Sequence, residues 1–386
     1  MRKSWIGFIF LAGLFLLVVW LWDQRSNTAV STTTFLPLLS EEDTANFSKA
    51  TEPNNITFPR DFGAHNDYQT EWWYYTGNLT ADSGEEFGYQ LTFFRRALTD
   101  DTENEFAEAD WRSNQAYMAH FTVTDVNSNA FYPHERFSRS AAGLAGAQAE
   151  PYAVWLENWS AREIAPGIVR LFAQSDAVTL DLELKQSLEP ILHGEGGLSQ
   201  KGAALGTASY YYSLVQQPTT GTIQIGENSY TVQGKSWKDH EYSTQALGPE
   251  VIGWDWFSLQ MDNGQSLMFF QIRNEDGSIE PFSSGSFIDV DGSVTPLTTD
   301  DWQLEVTETW QSPTNGAEYP AGWIIRIPTL DIELEGRPLI ANQELNVSIT
   351  YWEGATRFNG TIKGMPVVAK GYIELTGYAQ SMNGRL

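Results

Sequence analysis

Residues 253–294 read "GWDWFSLQMDNGQSLMFFQIRNEDGSIEPFSSGSFIDVDGSV". Three turn signals punctuate this stretch: Asn263-Gly264, Asp276-Gly277 and Asp291-Gly292. Each lies between apolar runs. Asn-Gly and Asp-Gly between such runs predict tight two-residue hairpins, because both central residues of that turn need positive φ. Three hairpins in a row predict an antiparallel meander through about 254–297.

Working outward, the same texture recurs. "EWWYYTGNL" (71–79), "EFGYQLTFFRRAL" (86–98) and "AYMAHFTVTDV" (116–126) are aromatic and β-branched runs with partial alternation. Such runs predict half-buried strands. "YWEGA" (351–355) and "GYIELTGY" (371–378) continue in this style. Many short strands with frequent turns predict an all-β protein of sandwiches or barrels. At 386 residues the chain is long enough for two domains. The break at "TQALGPEVIG" (244–253) divides them into 58–243 and 244–386.

The N-terminus differs. Arg2 and Lys3 precede "WIGFIFLAGLFLLVVWLW" (Trp5–Trp22), an uncharged stretch. As a helix it spans about 27 Å, enough to cross a bilayer core. The leading basic residues place its short end in the cytoplasm. Residues 1–22 therefore read as an uncleaved signal anchor. Residues 23–57, rich in Ser, Thr and Asn, read as a tether. The globular part is expected in the periplasm, anchored at the inner membrane, or secreted if the signal is cleaved.

Composition excludes several classes. The net charge of −26 argues against nucleic acid, which requires a basic footprint. Cysteine is absent, so there is no disulfide and no thiolate metal site. The five histidines show no H-x-H or H-E-x-x-H spacing, so neither a metal nor another cofactor is expected. There is no G-x-S-x-G elbow of a serine hydrolase.

Chemistry concentrates in "KSWKDHEYS" (235–243). On a strand, Lys235, Trp237, Asp239 and Glu241 share one face, and Ser236, Lys238, His240 and Tyr242 the other. Two carboxylates on one face beside a tryptophan favour retention of a proton, as a general acid requires. His240 is an alternative acid, and a solvated strand end with a surface ion pair is the structural alternative. Acids recur inside the other aromatic runs. Glu71, Trp73 and Tyr75 share a face, as do Trp254 and Trp256 with Asp255 opposite, Tyr351 with Glu353, and Tyr372 with Glu374.

Taken together, "EWWYYTGNL", "MAHFTVTD", "GKSWKDHEYS", "GWDWFSLQMDNG", "YWEGA" and "GYIELTGY" resemble the AttH-like proteins and carotenoid 1,2-hydratases over about residues 58–380. The resemblance implies two consecutive lipocalin-like β-barrels with an aromatic-lined site for a small apolar ligand. It matches Asp239 and His240 to the family's Asp-His pair and makes them, with Glu241, the catalytic candidates. Family members include hydratases that add water to an isoprenoid double bond, and others are encoded with ABC export systems. The later strand "LMFFQIR" carries no acid, unlike the carotenoid enzymes, and sets the chain nearer the broader secreted branch. The expectation is a membrane-anchored binder of a lipophilic molecule, linked to an ABC exporter. The alternative is a hydro-lyase acting on an isoprenoid-like double bond by acid catalysis. Glu71, Trp73, Tyr75, Trp237, Trp254, Asp255, Trp256, Tyr351, Glu353 and Glu374 are expected to line the site.

Overall fold

Alternation of apolar and polar residues dictates strands along nearly the whole chain, and a computed structural model contains little else. It describes residues 46–99, 113–245 and 247–382, all within the compact unit Leu38–Leu386. The apolar stretch Trp5–Trp22 lies outside the described residues. Among those described, no helix is long and apolar enough to cross a membrane.

The strands form two antiparallel sheets. In the first, β1 (Thr70–Ala81), β2 (Glu86–Ala97), β3 (Gln115–Asp125) and β4 (Ala130–Arg139) make a meander. β5 (Ala145–Gln148), β6 (Ala153–Leu156), β7 (Trp159–Ala165), β8 (Ile168–Gln174) and β9 (Val178–Lys185) make another. The short β10 (Ile191–Leu192) and β11 (Leu198–Gln200) precede the long β12 (Ala208–Ile225) and β13 (Asn228–Ser243). The order is β4-β3-β2-β1-β13-β12-β9-β8-β7-β6-β5. The sheet curls until its edges nearly meet. Arg136 of β4 reaches across to the Gln174 carbonyl at 3.0 Å and stacks on Trp159, 4.3 Å from the ring centroid.

The second sheet contains β14 (Val251–Met261), β15 (Ser266–Asn274), β16 (Ser284–Ile288), β17 (Val294–Thr298), β18 (Gln303–Gln311), β19 (Glu318–Ile327), β20 (Ile332–Pro338), β21 (Glu344–Asn346), β22 (Thr350–Ile362) and β23 (Met365–Leu375). Its order is β17-β16-β15-β14-β23-β22-β20-β19-β18. It is an open half-barrel rather than the closed barrel expected.

Each sheet wraps its own core. Trp73, Tyr75, Phe93, Phe121 and Trp159 fill the first, and Phe257, Phe269, Trp323, Trp352 and Phe358 the second. A third cluster joins them: Tyr74, Tyr211 and Trp237 pack on Trp256, Met268, Phe270 and Tyr372. Here the outer face of β1, β12 and β13 meets the outer face of β14, β15 and β23. Thus β1 is buried on both sides over most of its length, whereas β9 alternates between buried and more open positions. A sheet covered on both faces loses the alternation that betrays a half-buried strand.

The expected meander of β14 to β17 is present, but its turns differ from the two-residue form. Met261 N–H donates to Gln265 O, and the loop between them has three residues. Only the glycines, Gly264, Gly277 and Gly292, take positive φ (92°, 83° and 85°). The preceding Asn or Asp stays at negative φ. Its side-chain oxygen accepts the N–H two residues on, at 2.9–3.0 Å. A side chain committed to that bond favours the three-residue loop with a glycine bulge.

The packed chain also begins before Phe58, inside the stretch read as a tether. Phe47 and Ala50 are buried, and Ser48 and Asn54 donate backbone hydrogen bonds to Asp67 and Gly196. A short 3₁₀ turn, Arg60–Phe62, then closes one end of the first barrel.

Candidate active site

β13 carries "KSWKDHEYS" along the middle of the first sheet, paired with β1 and β12. Its alternation sends Asp239 and His240 to opposite sides. This separates the expected site into two polar centres.

The inner centre lies inside the first barrel. His240 Nε2 and His65 Nδ1 both contact Glu71 Oε1, at 2.8 and 2.7 Å. Arg95 Nε donates to Glu71 Oε2 at 2.9 Å. Burial opposes the Glu71 charge, but His65 and Arg95 hold it well below the usual carboxylate range. Burial also opposes a charge on His65, yet the Glu71 and Asp61 carboxylates hold its pKa at about 9. For His240 burial wins and lowers the pKa to about 4. Nearby, the Lys238 ammonium is boxed by Tyr152, Phe62, Tyr212 and Tyr75 at 4.3–5.8 Å from their centroids. Burial brings its pKa down to about 7. Trp73 and Tyr75 pack here.

The outer centre lies at the seam between the sheets. The strand registers set six residues in one line across the first sheet: Ser213, Asp239, Tyr74, Thr92, His120 and Glu135. On the second sheet, Trp256, Glu374 and Glu353 form a matching line. Asp239 accepts from Tyr211 at 2.7 Å, from Trp237 at 2.6 Å, and from Ser213. Trp256 Nε1 donates to the Tyr211 hydroxyl at 3.0 Å. Burial raises Asp239 to about 7 against these three donors.

Glu353 is the deepest acid of the seam, with the half-buried Glu374 opposite it. Burial raises Glu374 to about 7, with Trp254 donating to it and the Asp239 and Glu241 charges adding to the rise. Burial, then the Glu374 charge, pushes Glu353 well above the ordinary range. Both Glu353 oxygens are buried without a well-formed hydrogen bond, facing the Tyr74 and Tyr351 hydroxyls. Tyr74, Tyr372, Thr122 and Gln90 set further buried oxygens along the same seam without well-formed hydrogen bonds, Tyr74 facing Glu353 and Tyr372 facing Thr122. Buried polar atoms normally find good partners, so this concentration makes the seam the candidate site for a polar group or water. Tyr351 is held in turn. Its hydroxyl contacts His120 Nδ1 at 2.7 Å, and His120 Nε2 contacts Glu135 at 3.0 Å.

The expected site residues therefore divide. Asp239, Trp237, Trp254, Trp256, Tyr351, Glu353 and Glu374 line the seam. His240, Glu71, Trp73 and Tyr75 line the first barrel. Glu241 sits at the seam's rim, bound by Ser209 and by Lys201 at 2.7 Å. Asp255 leaves the group altogether. It faces the inside of the second sheet, where Arg273, Gln271 and Tyr378 hold it. Tyr74, His120, Glu135, Tyr211, His65 and Lys238 were not expected. His120 lies within the run "AYMAHFTVTDV" with no metal-binding spacing to another histidine, and His65 precedes the first strand.

Residues 49–378 match the AttH-like family over most of the chain. The chain belongs to the AttH-like family. An AttH-type protein of Nitrosomonas europaea has the same fold, with a TM-score of 0.76 and 33% identity over 84% of this chain and 97% of that one. Kievitone hydratase from Nectria haematococca shares the fold at 15% identity, with a TM-score of 0.66 over 87% of this chain and 97% of that one. Among curated relatives, dehydratase asqC of Emericella nidulans is 22% identical over 54% of this chain. The kievitone hydratase of Fusarium solani subsp. phaseoli is 23% identical over 53%. The chain spans 60% and 59% of the length of these two relatives.

Proposed function

We propose that this AttH-like protein is a hydro-lyase, adding water to or removing it from an apolar, isoprenoid-like substrate held at the seam. The observation that carries this reading is Glu353, a fully buried acid whose proton burial retains, set among aromatic rings and facing the Tyr74 and Tyr351 hydroxyls without a well-formed hydrogen bond. Relatives named as a hydratase and a dehydratase support it.

Hydration needs a proton delivered to carbon, a stabilised cation and a base for water. Protonated Glu353 donates its proton to one alkene carbon. The faces of Trp254, Trp256 and Tyr351 stabilise the positive charge on the other. Water adds to that carbon and gives up a proton to ionised Glu374. Dehydration runs the same steps backwards. Asp239 fixes Tyr211 and through it Trp256. Glu135 orients His120, which polarises Tyr351.

The other expectation, a tethered carrier handing a lipophilic molecule to an ABC exporter, draws on Trp5–Trp22, the aromatic content and the acid missing from "LMFFQIR". The relatives favour chemistry over carriage.

The test is incubation with prenylated phenols and linear terpene alkenes in heavy-oxygen water, followed by mass spectrometry. The expected result is incorporation of the heavy oxygen, abolished in Glu353→Gln with the fold retained. Turnover unchanged in that variant would overturn the assignment.

A further inference from the structure

The inner centre lies across β13 from the seam, and the hydro-lyase reading makes no use of it. We infer that His65, Glu71 and His240 form a binding site for one divalent transition-metal ion, zinc by its donor set.

Three separate elements bring the donors together: the segment after the 3₁₀ turn, β1 and β13. His65 Nδ1, Glu71 Oε1 and His240 Nε2 all lie within 4.8 Å of one another. The outer nitrogens decide what the inner ones carry. His240 Nδ1 lies 2.8 Å from the Tyr212 hydroxyl, and that hydroxyl donates its own proton to the Asp61 carbonyl at 3.0 Å. Tyr212 oxygen can therefore only accept from His240, so Nδ1 bears the ring proton. His65 Nε2 lies 3.0 Å from the Asp61 carboxylate and bears its proton in the same way. Both inner nitrogens face the same carboxylate oxygen, Glu71 Oε1, so three donor atoms from three elements converge on one point. A cation at that point would take all three atoms as ligands.

The surroundings fit an ion. A carboxylate or hydroxyl on the far nitrogen of each ligating histidine is the usual orienting device around a metal. Arg95 and the His65 N–H occupy Glu71 Oε2 and leave Oε1 for one bond to the ion. Two histidines and one carboxylate with an open fourth position suit zinc. Zinc at about 2.1 Å from each donor separates them by about 3.4 Å. The present contacts of 2.7 and 2.8 Å need only a small opening. The two imidazole rings lie with their centroids 5.7 Å apart, close enough to share one ion. The ion would fasten the 3₁₀ turn and its flanks to the central strands of the first sheet. Sequence spacing could not reveal such a site, because its ligands lie 6 and 169 residues apart.

The experiment uses the full-length chain. Protein from zinc-supplemented medium is assayed for bound metal by plasma mass spectrometry, then stripped and titrated with Co²⁺. The expected result is one zinc per chain and a tetrahedral cobalt absorption band. His65→Asn and His240→Gln, with circular dichroism unchanged, should each weaken cobalt binding at least 100-fold. His134→Ala, a histidine outside the pocket, should leave it intact. A folded chain that carries no stoichiometric metal and gives no cobalt band overturns the site. A band that survives both substitutions overturns it equally. Because His65 is part-exposed, its variant stays informative even where His240→Gln misfolds.

Discussion

Glu353 and Glu374 stand directly opposite one another on the antiparallel strands β22 and β23, Glu353 buried and Glu374 half-buried at the seam. Two carboxyls so placed cannot both ionise cheaply. One proton is retained between them across neutral pH, and this leaves a stability signature. Burial raises Glu374 from 4.5 to about 7. As pH rises from about 4.5 to 7 the unfolded chain loses this proton while the folded chain keeps it. Stability therefore falls over that window and levels off above it. The fall from this group is about 3 kcal/mol. Glu374→Gln should remove it, which urea unfolding at pH 5, 6, 7 and 8 will measure.

Tyr74 carries a buried hydroxyl that faces the Glu353 carboxyl without a well-formed hydrogen bond. Tyr74→Phe removes a desolvated group and keeps the ring on Trp256, whose centroid is 5.1 Å away. The variant should melt no lower than the parent, with a gain of up to about 1 kcal/mol. If the hydroxyl contacts substrate, hydration turnover should drop about tenfold or more. Paired thermal melts and rate measurements separate the two effects.

Glu135 is part-exposed on the first sheet and acts through His120 on Tyr351 of the second. Glu135→Gln should slow turnover roughly tenfold or more while shifting stability by less than about 1 kcal/mol. A shifted pH–rate profile is the readout that a merely structural role would not move.

Gly88 lies where β2 meets β22. A Cβ built there falls 2.5 Å from the Ala355 Cβ of the other sheet. Gly88→Val should push the sheets apart and cost about 1–3 kcal/mol. Tryptophan emission from Trp237 and Trp256, which pack across the seam, should shift to the red, with the two inner cores left intact.

Much of this was legible in the letters. Period-2 alternation located the strands and assigned Asp239 and His240 to different faces of "KSWKDHEYS". What alternation could not say is which face is inside. β13 is covered on one side by its own barrel and on the other by the second sheet, so both faces are interior, and polar residues on both are functional candidates. The seam depends on which two outer faces dock. That contact brings Tyr351 to His120, 231 residues earlier, and no local pattern encodes it. Asp255 was misplaced for a related reason. The bland neighbours Phe257 and Leu259, which share its face, belong to the core of the second sheet.

The first and last long strands of each sheet lie side by side. Thr70 bonds to Ser243 across 173 residues, and Ser258 to Tyr372 across 114. Each sheet therefore has its central pair completed last as the chain emerges. Until the closing strand arrives, β1 and β14 each present an open, aromatic-rich edge. Loop closure of this span precedes any reward from pairing, so folding is slow for the chain's stability. The interval before closure is when the protein is most exposed to wrong partners.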